Sequence, residues 1–168
     1  MRRRPFLAAV AVAALALGGC GFQLRGTQTL PIDTLFLALP ANSQLGAEIT
    51  RVVRASTNAI VVTDRKKAQA IFELLGESRE REVLSINAQG RAREYQLRLS
   101  SSFRVIDPNG IELIAPTTLT ARRDISFNES ELLAKESEEG MLYRDMQSDL
   151  VRQMVKRLQG IRLDAAQG

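Results

Sequence analysis

From Tyr95 to Val105 the chain alternates: Tyr95, Leu97, Leu99, Ser101, Phe103 and Val105 occupy one parity, and Gln96, Arg98, Ser100, Ser102 and Arg104 the other. Successive side chains of a strand point to opposite faces, so this period of two predicts a strand with one apolar and one polar face. Asp107-Pro108-Asn109-Gly110 supplies turn chemistry after it, and Ile111 to Phe127 has enough β-branched and apolar residues to pair back as a hairpin. Pro116 lacks the N–H that a ladder needs and predicts an edge or a break in that stretch. Upstream, Ala70 to Leu75 reads as a strand and Gly76 as a bulge or bend. A polar stretch from Glu77 to Glu82 leads to Val83, Leu84 and Ile86, and Asn87 to Gly90 supplies the next turn. Strands of about 15 residues at about 3.3 Å each extend roughly 50 Å, more than a domain of this size needs to cover its core. The hairpin tips are therefore expected to project.

Other segments follow the helical period. Ile32 to Leu39 predicts a first strand closed by Pro40, and Ser43 is a good N-cap for a helix with Leu45, Ile49, Val52, Val53 and Ser56 on one stripe. Asn58 is expected to take the left-handed turn that ends this helix, before a short β-branched run, Ile60-Val61-Val62, whose pairing partner the pattern leaves open. A charged turn spans Asp64 to Lys67. Near the carboxyl end Leu142, Met146, Leu150, Met154 and Leu158 recur every four residues, with Val151 and Val155 broadening the stripe and Arg152, Lys156 and Arg157 placed where the helix dipole favours cations. Between Leu132 and Met141 two readings stand, solvated first turns of this helix or a loop. Two striped helices and a sheet with one apolar face give an α+β fold: a two-layer sandwich with two helices on one face of a mostly antiparallel or mixed sheet with long central hairpins.

The amino end obeys neither period. Arg2, Arg3 and Arg4 precede an apolar stretch from Phe6 to Leu17, 12 residues long and too short to cross a bilayer core. It ends in Leu17-Gly18-Gly19-Cys20, a bacterial lipobox, and Cys20 is the only cysteine in the chain. The expectation is cleavage before Cys20 and covalent lipid, diacylglyceryl and N-acyl, on its thiol and amine. At about 0.8 kcal/mol per buried methylene such chains hold a protein firmly to a leaflet. Gly21, rather than Asp, after the cysteine favours sorting to the periplasmic leaflet of the outer membrane. The organisation is then a signal peptide (1–19), a lipidated tether (20–31), a single α+β domain (32–162) and a short tail (163–168).

Composition changes the picture mainly by exclusion. The 168 residues include no His and no Trp, so imidazole acid–base catalysis and the usual zinc, haem and copper ligand sets are missing. The formal charge of +4 drops to +1 once Arg2, Arg3 and Arg4 leave with the signal peptide, and a nucleic-acid partner loses its electrostatic footprint. Ser100, Ser101 and Ser102 sit in an alternating strand without a base, the glutamate runs Glu77, Glu80, Glu82 and Glu138, Glu139 read as solvated faces, and Asp107 to Gly110 lacks the further ligands of a calcium loop. No enzyme, metal site or non-covalent cofactor is expected. Arg91, Arg93, Arg98, Arg104, Arg122 and Arg123 lie on or near the central hairpins. They form either a wetted sheet face with interleaved acids or a row able to meet phosphate or carboxylate groups.

Three stretches carry a family resemblance: Cys20-Gly21-Phe22-Gln23-Leu24-Arg25-Gly26, Arg93-Glu94-Tyr95-Gln96-Leu97, and Leu133-Ala134-Lys135-Glu136 followed by Glu139, Leu142, Met146 and Asp149. Together, and in this order, the chain resembles the LptE family of lipopolysaccharide-assembly lipoproteins. The resemblance implies a non-enzymatic plug inside the outer-membrane barrel LptD, in a 1:1 complex, that supports barrel assembly and lipopolysaccharide delivery to the outer leaflet. It implies lipopolysaccharide binding by cations near one end of the sheet. Lys135 matches the family lysine; the other basic position is Ala88 here, and Arg91 and Arg93 beyond Gly90 are the cations that stand in for it. Arg98 and Arg104 are expected to face barrel or lipid. The competing expectation is a barrel-independent periplasmic anionic-lipid-binding or envelope-scaffold lipoprotein.

Overall fold

The structure, a computed structural model, describes residues 28–128 and 131–163. The signal peptide, the lipobox with Cys20, most of the tether and all but Leu163 of the tail lie outside the described residues.

Strand β1 (Thr34–Ala38) runs into helix α1 (Gln44–Ser56), which returns to β2 (Ile60–Val62). A short 3-10 turn (Arg65–Lys67) leads into β3 (Ala70–Ile86), and β4 (Ala92–Ile106) and β5 (Glu112–Ser126) follow before helix α2 (Leu132–Leu158). The five-stranded sheet has the order β2-β1-β3-β4-β5. β1 pairs in parallel with both β2 and β3, which answers where the Ile60 run belongs, while β3, β4 and β5 form an antiparallel meander. The sheet is thus mixed, with both helices on one face.

The helical stripes form as their spacing requires. Ser43 Oγ accepts the Gly46 N–H at 2.8 Å and caps α1, whose Leu45, Ile49 and Val53 are buried. From α2 come Met146, Leu150, Val151, Met154, Val155 and Leu158. They cover Leu35, Phe72, Leu97, Leu99, Phe103, Val105, Leu119 and Ile125 of the sheet in one continuous core. Phe72 and Phe103 stack at 5.1 Å across the β3–β4 pair. On the opposite sheet face only the short-strand end is dry: Ala68, Ile71 and Ile106 are buried there, with Phe36, Ala38 and Val62 packed against them.

Several local expectations are sharpened or corrected. Asn58 takes no left-handed turn, since no non-glycine described residue has positive φ. α1 instead runs out through an extended Thr57, and the Asn58 amide accepts from Leu30 N at 2.6 Å and donates to Leu30 O at 3.2 Å. That bond clamps the end of the stretch read as tether: Leu30 is buried, so packed chain begins before Ile32. Leu163, read as tail, also packs partly against the core. β3 is one strand of 17 residues rather than a short strand and a polar stretch. Alternation fails beyond Gly76 because both faces of the strand are wetted there. Gly76 and Pro116 sit where the ladder registers shift, Gly76 in β3 and Pro116 in edge strand β5. The residues between Leu132 and Met141 are helical, the first turns of α2.

Candidate functional site

The far end of β3 and β4 passes beyond the covered core and ends in the turn at Asn87–Gly90. Asn87 Oδ1 accepts the N–H groups of Gln89 at 3.0 Å and Arg91 at 2.9 Å, and Gly90 supplies the positive φ of +77° that closes the loop. This fixes where Arg91 leaves the turn and where Arg93 enters β4. The N–H of Phe127 donates to Arg93 O at 2.7 Å, extending the β4–β5 ladder past Ser126. The first turns of α2 then bring Lys135 over the same end, where its Nζ donates to Ser126 Oγ at 3.1 Å and to Glu138 Oε2 at 2.9 Å.

These elements enclose an open cavity of about 830 Å³. Arg91, Arg93 and Lys135, singled out from sequence, all line it, together with Ile86, Phe127 and the carboxylates of Glu94 and Glu131. Ser85 Oγ donates to Glu94 at 2.7 Å, so one of those carboxylates is already engaged. Exposed apolar side chains surround this end: Val83, Leu84 and Ile86 on the hairpin, Leu132 and Leu133 on α2, with Leu133 82% exposed. Three cations set among exposed apolar groups suit an amphiphilic anion, with phosphate or carboxylate on the guanidinium and ammonium groups and hydrocarbon on the rim.

Polar struts hold the arm to α2 where the apolar core stops. The Arg81 guanidinium lies over the Tyr95 ring at 4.6 Å and pairs with Glu139 at 3.2 Å, and Tyr95 meets Phe127 edge to face at 5.3 Å. Further along, Tyr143 Oη donates to Glu80 O at 3.0 Å and Arg79 lies over its ring. Burial, and then the neighbouring Glu139, push the Tyr143 phenol above its usual range. Arg123, on the helix side of β5, bonds Asp145 at 2.8 Å and also Asp149, and these bonds raise its pKa.

Arg98 and Arg104 occupy the other sheet face, away from α1 and α2, and are not part of the end cavity. Arg98 reaches Glu80 and Glu82, each at 3.4 Å, and Arg104 Nε bonds Glu73 at 2.7 Å. The Arg104 hydrogen bond is the largest influence holding the Glu73 carboxyl below its ordinary value, against burial, with Arg65 adding to it. The serine cluster is spent on the sheet: Ser100 pairs with Thr120, Ser102 with Thr118, and Ser101 with Gly76 O. Sequence reasoning missed Ser85, Ile86, Ser126, Phe127 and Glu131 as cavity residues. The signal for them was the run Val83, Leu84, Ile86 on a hairpin tip already expected to project.

Fold and site together define a class: a two-layer α+β sandwich whose sheet outruns its helices and ends in a cationic cavity with an apolar rim. Comparison with known proteins gives the class its family. The profile of the family described as LptE, lipopolysaccharide-assembly, matches residues 32–158. The LPS-assembly lipoprotein LptE of Pectobacterium atrosepticum is 32% identical over 162 residues, covering 94% of this chain and 86% of that one. The solution NMR structure of an uncharacterized lipoprotein B from Nitrosomonas europaea matches with a TM-score of 0.70 at 35% identity, covering 83% of this chain and 88% of the other. The crystal structure of the rare lipoprotein B from Shewanella oneidensis shares the fold, with a TM-score of 0.66 at 23% identity over 75% of this chain and 93% of that one. The chain belongs to the LptE family of lipopolysaccharide-assembly lipoproteins.

Proposed function

We propose that this lipoprotein is anchored through lipidated Cys20 in the periplasmic leaflet of the outer membrane. Its domain lies in the lumen of the barrel LptD as a 1:1 plug, and it acts without catalysis in lipopolysaccharide delivery. The observation that carries the lipid-binding part is the convergence of Arg91, Arg93 and Lys135 on one open cavity whose lining also holds Ile86 and Phe127. Lipopolysaccharide offers the matching chemistry: phosphates for the cations and acyl chains for the rim. Lys135 must exchange Glu138 for a phosphate, and charge-assisted bonds of similar strength make that exchange inexpensive. Ala88 at the usually basic position is offset by the two arginines beyond Gly90. The plug part is supported by a domain whose core lies under one sheet face while the other is polar over most of its length, as a water-lined lumen requires.

The test is charge reversal in the full-length protein. Lys135→Glu with Arg93→Glu is expected to weaken lipopolysaccharide binding at least about tenfold, with the domain still folded by circular dichroism. Unchanged binding removes the cavity from the reading. Purification from outer membranes in mild detergent is expected to recover LptD in fixed 1:1 ratio. Recovery of the lipoprotein alone, with LptD present in the same membranes, favours the barrel-independent lipid-binding alternative.

A further inference from the structure

Across the outer face of the β4–β5 pair almost every rung satisfies itself. Gln96 donates to Asp124 at 3.1 Å, Ser100 and Thr120 share a hydrogen bond at 3.0 Å, and Ser102 and Thr118 share one at 2.7 Å. Arg104 is held by Glu73 on the neighbouring strand. One rung differs. Arg98 and Arg122 stand directly opposite each other in the register, two like charges in the cross-strand position where opposite charges are favoured.

Neither guanidinium is fully matched. Arg98 spends its two terminal nitrogens on Glu80 and Glu82 at 3.4 Å, long for such pairs, and its Nε is buried with no acceptor. The exposed Arg122 guanidinium has no carboxylate in ion-pair range among the described residues. A buried donor without an acceptor and an adjacent like charge both raise the energy of the isolated domain; the buried Nε is closed to a docking partner, but an anion on the exposed Arg122 guanidinium relieves the repulsion.

We propose that the Arg98–Arg122 rung is an acceptor for an Asp or Glu carboxylate of the protein that covers this sheet face. On the plug reading, on which this rests, that protein is the barrel wall. Protein is favoured over lipid because the neighbouring positions on this face, Glu80, Glu82, Gln96, Ser100, Thr120 and Asp124, are all polar. An amphiphile needs apolar surface beside its phosphate, and no exposed large apolar side chain occupies a position next to this rung: Val83, Leu84 and Ile86 lie toward the hairpin tip, Leu75 five residues from Glu80, and Ile60, Ile111, Leu132, Leu133 and Met141 on other elements. Charge complementarity at a single rung would also fix the register in which the two surfaces meet.

The test uses the full-length lipidated protein in its own outer membranes. Arg122→Lys keeps the charge and supplies a primary amine, which a water-soluble carbodiimide joins as an amide, with loss of water, to a carboxylate in contact with it. An adduct formed with Arg122→Lys and absent from the identically treated wild type is expected, with sequencing of the joined peptides ending on an Asp or Glu of the barrel. An adduct to an acidic residue of a different protein keeps the acceptor and removes the plug reading. An adduct to lipid phosphate, or none that depends on Arg122→Lys, overturns the proposal. Arg122→Glu is expected to lower barrel recovery about tenfold while the Tm of the free lipoprotein stays the same or rises, because the repulsive rung becomes an attractive one. Wild-type recovery of the barrel by Arg122→Glu also overturns it.

Discussion

β3 begins and ends in different environments. Ala70, Ile71 and Phe72 are buried, with side chains sealed on both sheet faces, whereas every residue from Leu75 to Leu84 is exposed. The first part is held by apolar packing against α1, α2 and the small cluster on the reverse face. The second part is held by the β4 ladder, by Arg79 and Arg81 over tyrosine rings, and by Tyr143 on the Glu80 carbonyl. Dispersion and water exclusion stabilise the one; directional polar contacts that water weakens stabilise the other. One strand thus joins a region that decides whether the domain folds to a region that presents a binding surface, and damage to either should be separable from damage to the other.

The strongest way to break that contrast is Phe72→Ala. Loss of a fully buried ring stacked on Phe103 is expected to cost about 3–5 kcal/mol in urea unfolding, with the whole domain affected. Retention of wild-type stability would mean the core is not where the burial places it. Next, Gly90→Val places a β-branched residue at φ +77°, where the space is open but the backbone is unfavourable, at about 1–2 kcal/mol. Because the turn carries Arg91, lipopolysaccharide binding is expected to fall further than Tm does; equal losses would argue that the arm has no separate role. Tyr143→Phe removes one hydrogen bond at about 1 kcal/mol, and amide exchange should rise in β3 beyond Gly76 while exchange at Phe72 stays slow.

The smallest effect concerns acid. The Glu73 carboxyl is held below the ordinary glutamate value of 4.5, chiefly by Arg104, so this group stabilises the fold above that value and the contribution is lost as pH falls through the lowered one. Because both arginine partners are partly solvated, the amount is at most about 1 kcal/mol. Glu73→Gln is expected to flatten that part of the stability-versus-pH curve below pH 4.5, and an unaltered curve would show that another carboxylate dominates.

Legibility in the sequence followed the same division. The alternation from Tyr95 to Val105 and the four-residue recurrence from Leu142 to Leu158 were plain because each has one dry side, and burial is what writes a period into a sequence. From Glu77 to Glu82 there is no dry side, so the strand was hidden even though its partner β4 was clear. Asn58 was misread because its amide is used in a bond to Leu30, 28 residues away, and local turn preference carries no trace of it. At the site, Lys135, Arg91 and Arg93 were marked by residue type and family resemblance. The uncharged members, Ser85, Ser126 and Phe127, become cavity residues only when β5 and α2 converge on the hairpin. The Arg98–Arg122 opposition needed the exact strand register, which no composition or spacing supplies.

The irregularity at Gly76 also determines how this chain tolerates changes of length. Leu74 pairs with Phe103 and Gly76 with Ser102, so one residue of β3 is surplus to its partner, and helix-facing positions pass from even numbers to odd. Deleting the half-exposed Leu75 restores a plain ladder and leaves Arg79 and Arg81 facing α2. Deleting Ser78, three residues on, keeps the same chain length but turns Arg79 and Arg81 outward and Glu80 and Glu82 inward, exchanging the partners of both faces. Across relatives of different lengths, gained or lost single residues should therefore collect where the ladder slips, here and again at Leu84, the places where the chain can lose count without changing sides.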